Sequence, residues 1–163
     1  MMEEPELRNI TRDWYKKRYQ SYEKHLEFIN LHEMGITITE FLVSRFKGDS
    51  LTSIPQYNRL YIKPDIIGII IHPKTYQKLW IIAECKAGSV SQRDLGQALK
   101  YSGSSAAFAS SLCYHGRIGR AVQRDIENGH HFFNGSNQWG AEVRKNISFY
   151  QYDLVSARFT KMA

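Results

Sequence analysis

The sequence predicts a single α/β domain in which a mixed β-sheet is flanked by helices. Three observations carry that expectation. The chain has 163 residues, the size of one domain. Two apolar, β-branched runs stand close together at its centre, over residues 61–71 and 76–86. Helical segments with capping signatures lie on both sides of them. Apolar residues make up 42% and charged residues 23%, a balance that supports a buried core rather than disorder.

The elements follow in chain order. Residues 11–33 are rich in Lys, Glu and Tyr, and Trp14, Tyr22, Leu26 and Ile29 can share a helical face. They predict a helix, and with it an N-terminal helical extension at about residues 5–34, ended by Gly35. Thr37 stands three residues before Glu40, the spacing of a capping box, and a second helix should run to about Phe46 before Lys47-Gly48-Asp49-Ser50 stops it. The Ile/Thr alternation at 36–38 also allows a short strand. Residues 51–60 are ambiguous and fit a short strand broken by Pro55.

Residues 61–71 (YIKPDIIGIII) read as a strand, His72-Pro73-Lys74 as a turn, and residues 76–86 (YQKLWIIAECK) as a second strand. In the latter, Leu79, Ile81 and Ala83 alternate with Trp80 and Ile82, so the two runs predict an antiparallel pair. Ser91 with Asp94 repeats the capping spacing and opens a helix over 92–102. The small-residue run 105–113 predicts a buried strand, 117–128 a helix ended by Asn128-Gly129, and 130–134 with 146–155 late strands.

Composition narrows function. Net charge is +6, which draws a protein toward polyanions such as nucleic acid. No run of 18 apolar residues appears, so no membrane partner is expected, and the acidic N-terminus MMEEPELRNI lacks the apolar stretch of a secretory signal. The two cysteines, Cys85 and Cys113, are too few for a disulfide framework, a four-Cys zinc site or a protein-only iron–sulfur site. A reducing, cytoplasmic location fits best. No Gly-x-Ser-x-Gly elbow and no helical His-x-x-x-His with a Glu is present.

The chemistry-bearing residues lie on the central strands. Glu84 and Lys86 are two apart and share a face, while Cys85 points to the other. If the strands pair as a hairpin, Asp65 comes beside Glu84. Two converging carboxylates repel unless a divalent cation sits between them, and hard oxygen ligands suit Mg²⁺ or Mn²⁺. A cation, a positioned water and the Lys86 ammonium are the parts that phosphodiester hydrolysis needs. A salt bridge between Glu84 and Lys86, or solvation of a strand end, accounts for the same residues without catalysis. Basic residues recur around these strands at Lys63, Arg93 and Lys100, and Arg117, Arg120 and Arg124 follow helical spacing, together a surface suited to phosphates.

Pro64-Asp65 followed by Glu84-x-Lys86 resembles the PD-(D/E)XK nuclease superfamily, and Gln97-Ala98-Leu99-Lys100-Tyr101 is similar to the Gln-x-x-x-Tyr motif of its RecB-like branch. The likeness spans about residues 33–101. It implies a restriction-endonuclease-like core. It also implies a metal-dependent nuclease hydrolysing DNA in repair, recombination or replication, with a homodimer left open. By resemblance, Asp65, Glu84 and the Cys85 backbone carbonyl hold Mg²⁺ or Mn²⁺, and Lys86 positions the water or stabilises the transition state. Gln97 and Tyr101 orient the site and touch phosphate. The family also places a Glu on the helix before the sheet, for which Glu40 is the first choice and Glu33 the second. A cap role alone explains Glu40 equally well. The competing functions are a non-catalytic DNA-binding module on the same fold and an interaction protein carrying a chance motif.

Overall fold

The computed structural model describes residues 2–21, 24–54, 56–71, 78–137 and 139–163. Its centre is the expected antiparallel pair, β2 (Ile66–Ile71) and β3 (Lys78–Lys86), with Ile66 opposite Ala83 and Ile71 opposite Lys78. Residues 61–65 stay outside the strand, and the turn expected at 72–74 lies outside the described residues.

Around this pair the sheet grows both ways. β1 (Lys24–Asn30) joins β2 antiparallel, β4 (Ala109–Tyr114) joins β3 parallel, β7 (Ser148–Asp153) joins β4 parallel, and β8 (Arg158–Lys161) closes the far edge antiparallel. The result is a mixed six-stranded sheet, while β5 (Phe132–Ser136) and β6 (Glu142–Asn146) form a separate hairpin. No helix among the described residues is long and apolar enough to cross a membrane.

The N-terminal third departs from the sequence expectation. The helix is α1 (Glu4–Arg18), and the rest of the segment expected to be helical becomes β1 and the short α2 (Leu31–Met34). In α1, Pro5 and the acidic Glu4 and Glu6 favour the first turn, and Lys16, Lys17 and Arg18 complement the dipole at the last. Leu7, Thr11 and Tyr15 form its buried stripe. Past it, the adjacent Phe28 and Ile29 pack into opposite layers of the core. That two-sided demand has the period of a strand, and pairing with β2 overrides local helix preference. The expected extension is thus helical only over Glu4–Arg18: α1 covers one face of the sheet and β1 is its edge.

The two capping boxes form as expected. Thr37 caps α3 (Ile38–Arg45), which excludes the strand considered at 36–38, and Ser91 caps α5 (Gln92–Ser105). A short α4 (Asp49–Thr52) stands where a helix stop and then a strand were expected, and Pro55 lies outside the described residues. Ser105 belongs to α5 rather than to β4, and Ala106 turns the chain through a left-handed conformation at φ 50°. α6 (Arg120–Glu127) is shorter than the expected 117–128.

Strand alternation sorts the core into two layers. Ile67, Ile69, Trp80, Ile82 and Leu112 pack with Phe41 and Leu42 of α3 and Leu95 and Ala98 of α5. Ile66, Ile70, Ile81, Ala83, Cys85 and Cys113 pack under Leu7 and Tyr15 of α1. Both cysteines are buried, free thiols.

The loops leaving β3 and β4 are laced together. His115 N donates to Lys86 O (3.1 Å), Gly116 N to Gly88 O (3.2 Å), and Val90 N to Arg117 O (2.8 Å). Gly116 permits this approach, because a Cβ there would sit 2.5 Å from the Gly88 carbonyl carbon. The lacing fixes where α5 begins relative to Lys86.

Gly116→Ala is expected to destabilise the domain by about 1–3 kcal/mol through backbone overpacking. Gly96→Ala, at an α5 position where an added Cβ meets nothing within 4 Å, should stabilise it by about 0.5–1 kcal/mol. Urea unfolding of both variants checks the contrast.

Candidate active site

The register sets the site. Asp65 directly precedes β2, so the pairing that places Ile66 opposite Ala83 carries Asp65 to Glu84. Glu84 and Lys86 share the face of Trp80 and Ile82, the face covered by α5. Cys85 projects the other way, where its Sγ lies 3.5 Å from Thr11 Oγ1 of α1.

Asp65 is buried and heavily engaged. Its Oδ2 accepts the Cys85 backbone N–H at 2.8 Å, a donor left open because β2 begins one residue later. Its Oδ1 lies 3.2 Å from His32 Nδ1 and 3.4 Å from Arg8 Nε. Its main-chain carbonyl accepts from Leu31 N (2.9 Å) and His32 N (3.2 Å). Asp65 thus ties α1, the β1–α2 junction and β3 to the start of β2.

Glu84 is placed differently. Its Oε1 is buried and has no hydrogen-bond partner among the described residues. Burial and the adjacent Asp65 carboxylate push its carboxyl up to about 10, only partly opposed by Arg8. A neutral Glu84 can share a proton with Asp65. An ionised Glu84 needs a cation, since an unpaired buried charge is costly. The donor set facing that cation is two carboxylates, the hard oxygen chemistry of Mg²⁺ or Mn²⁺. Each carboxylate oxygen of Asp65 retains lone-pair capacity beyond the contacts described. Among the described residues, no third acidic, His or Cys side chain completes a ready ligand cluster.

Lys86 reaches toward α5, with its Nζ 3.9 Å from Asp94 Oδ1. Asp94 also caps α5 by accepting from Ser91 N (2.8 Å). Asp94, Gln97 and Tyr101 follow one side of α5 at i, i+3 and i+7. Gln97 Nε2 donates to the Tyr101 hydroxyl at 2.8 Å. The Gln-x-x-x-Tyr residues are therefore linked to each other on the flank of α5 that meets Lys86.

The helix carboxylates stand apart. Glu40 Oε1 accepts from Thr37 Oγ1 (3.1 Å) and Thr37 N (3.4 Å), so its carboxylate completes the cap, and no contact joins it to Asp65 or Glu84. Glu33 is exposed on α2, where its backbone N–H donates to Asn30 Oδ1 (3.2 Å). Of the basic residues, Lys63, Arg93, Lys100, Arg117, Arg120 and Arg124 are all exposed, and none forms an ion pair among the described residues. Arg93 and Lys100 share the outer face of α5; Arg120 and Arg124 lie on α6, whereas Arg117 precedes it and leaves the expected helical face.

Sequence reasoning missed Arg8, His32 and Asp94. The Asp94 role was within reach, because its capping position faces the end of β3 once α5 is laid back on the sheet. Arg8 and His32 meet Asp65 only through tertiary packing.

Compared with models of known families, with curated proteins and with solved structures, the chain matches none.

Because the Glu84 carboxyl is raised, its burial favours folding most at low pH. That contribution is full below about 4.5 and is lost as pH rises toward about 10. In chelator-treated protein, the melting temperature of wild type should fall relative to Glu84→Gln across this window. Parallel melting curves for the two proteins would contradict the assignment.

Proposed function

We propose that this chain is a metal-dependent nuclease that hydrolyses DNA phosphodiester bonds, the activity implied by its resemblance to the PD-(D/E)XK superfamily. The observation that carries the reading is Glu84. Its buried, unpartnered Oε1 lies beside the Asp65 carboxylate, on the same face as the Lys86 side chain. A fold gains nothing from that arrangement unless a cation or a shared proton occupies it.

Asp65 and Glu84 would hold Mg²⁺ or Mn²⁺, which when bound supplies a Lewis acid and lowers the pKa of water. Asp65 is fixed in place by Cys85 N, Arg8 and His32, so its carboxylate keeps one orientation. Lys86 carries a proton and a charge toward the same face, where it can orient a water or stabilise charge on a phosphate oxygen. Asp94 keeps the ammonium near α5. Gln97 and Tyr101 offer an amide and a hydroxyl on that flank for a phosphate oxygen. Lys63, Arg93 and Lys100, exposed around it, suit a polyanionic substrate.

One observation favours a second reading, a non-catalytic DNA-binding module on the same fold. Asp65 already accepts the Cys85 N–H and lies within ion-pair distance of Arg8, which reduces its need for a metal.

Calorimetric titration of Mn²⁺ separates the two. The nuclease reading expects saturable binding to wild type that is lost in Glu84→Ala. It also expects Mn²⁺-dependent cleavage of DNA reduced by about a hundredfold or more in Glu84→Ala and Lys86→Ala, with both variants still folded. Salt-sensitive DNA binding with no cleavage under either metal would support the module instead.

A further inference from the structure

A second site stands on the α1 side of the sheet, away from the face that carries Glu84 and Lys86. A cavity of about 290 Å³ opens where β4 and β7 begin, bounded by α1 and the β5–β6 hairpin. Among the described residues its walls carry four cations, Arg18, Arg144, Lys145 and Lys161, and no carboxylate. Among the described residues, none of the four forms an ion pair. Clustered like charges that lack counter-charges destabilise a fold, so a surface that keeps them together is poised for an anion.

The floor is built rather than incidental. Ser111 is 2% exposed, and among the described residues its Oγ meets no stronger hydrogen-bond partner than the Cys113 thiol. A buried hydroxyl whose neighbour is only a weakly bonding thiol costs free energy that a ligand oxygen would recover. Lys145 is drawn in over the Phe108 ring, 4.3 Å from its centroid, where its Nζ donates to the Phe108 carbonyl and desolvation lowers its pKa. Such a partly dehydrated ammonium gains more than an exposed one from a nearby phosphate.

The remaining walls are aromatic. Tyr15, Tyr19, Phe108 and Tyr150 face the same space, and the Arg18 guanidinium lies 5.5 Å from the Tyr150 ring centroid. Cations next to ring faces recognise a ligand that is anionic at one end and planar at the other. The volume admits one such unit and not a duplex. Ser111 and Tyr150 lie in the α1-side layer of the sheet, whereas Glu84 and Lys86 lie on the α5 side, so the sheet itself separates the two sites.

We propose that this cavity binds a mononucleotide, its phosphate held by Arg18, Arg144, Lys145 and Lys161 over the Ser111 hydroxyl and its base against the tyrosine walls. The proposal is independent of the nuclease reading.

The test is calorimetric titration of AMP, adenosine and inorganic phosphate into full-length protein in EDTA, where no divalent cation serves the other site. Saturable AMP binding is expected in wild type and in Glu84→Gln. It should weaken by about tenfold or more in the Arg144→Gln/Lys161→Gln double variant, since charged hydrogen bonds are lost. Both substituted side chains are at the surface, and an unchanged circular dichroism spectrum confirms folding. Three results would overturn the proposal: no saturable heat from AMP at millimolar concentration, equal affinity in the double variant, or adenosine or inorganic phosphate binding as tightly as AMP.

Discussion

The structure turns on the carboxylate of Asp65. It closes the open N–H of Cys85 where β2 has not yet begun, and it holds Arg8 of α1 and His32 at the start of α2. Its carbonyl takes two further N–H groups from Leu31 and His32. One residue therefore sets the end of β1, the start of β2, the last turn of β3's ladder and the docking of α1. Buried charges with several donors are stabilised only as a set, and removing a partner leaves the others uncompensated. The same constraint gives Glu84 its unusual state, because Asp65 brings a negative charge against a carboxyl that burial has already made hard to ionise.

Charge is otherwise kept outside and sorted by place. The acidic pair lies inside, where β3 ends and α5 begins, and the laced loops at Gly88 and Gly116 hold that end closed. Where β4 and β7 begin, the β5–β6 hairpin brings Arg144 and Lys145 to the cavity, and Ser136 N ties the hairpin to Ala107 O at 3.2 Å. The two sites offer opposite electrostatics on opposite faces. A mixed sheet makes this possible, because the turn from antiparallel to parallel pairing at β3 leaves strand ends of different character on each side.

Much of this was legible in the chain, and the reasons can be named. The runs ending in Ile71 and Lys86 were apolar, β-branched and adjacent, so their pairing and the shared face of Glu84 and Lys86 followed from period alone. Thr37 with Glu40, and Ser91 with Asp94, announced their helices because a cap is a local, self-contained set of hydrogen bonds. β1 was not legible: its Lys- and Glu-rich surroundings suit a helix, and only the neighbouring β2 makes Phe28 and Ile29 need opposite faces. β6 and β8 were missed because Glu142–Asn146 and Arg158–Lys161 carry no clear apolar alternation. Within the site, the acidic pair was visible and its tethers were not. Arg8 reaches Asp65 across the whole of α1 and β1, and sequence spacing holds no trace of such a contact.

Cys85 and Cys113 are register neighbours on adjacent parallel strands, and both lie beneath α1. Their thiols are shielded by the helix that carries Leu7, Thr11 and Tyr15, and burial also keeps them protonated. A soluble alkylating reagent can reach them only when that helix lifts. The molecule thus contains its own reporter of partial opening: the pace at which its sulfurs become labelled measures the free energy of undocking one helix, separately from the cost of melting the whole domain.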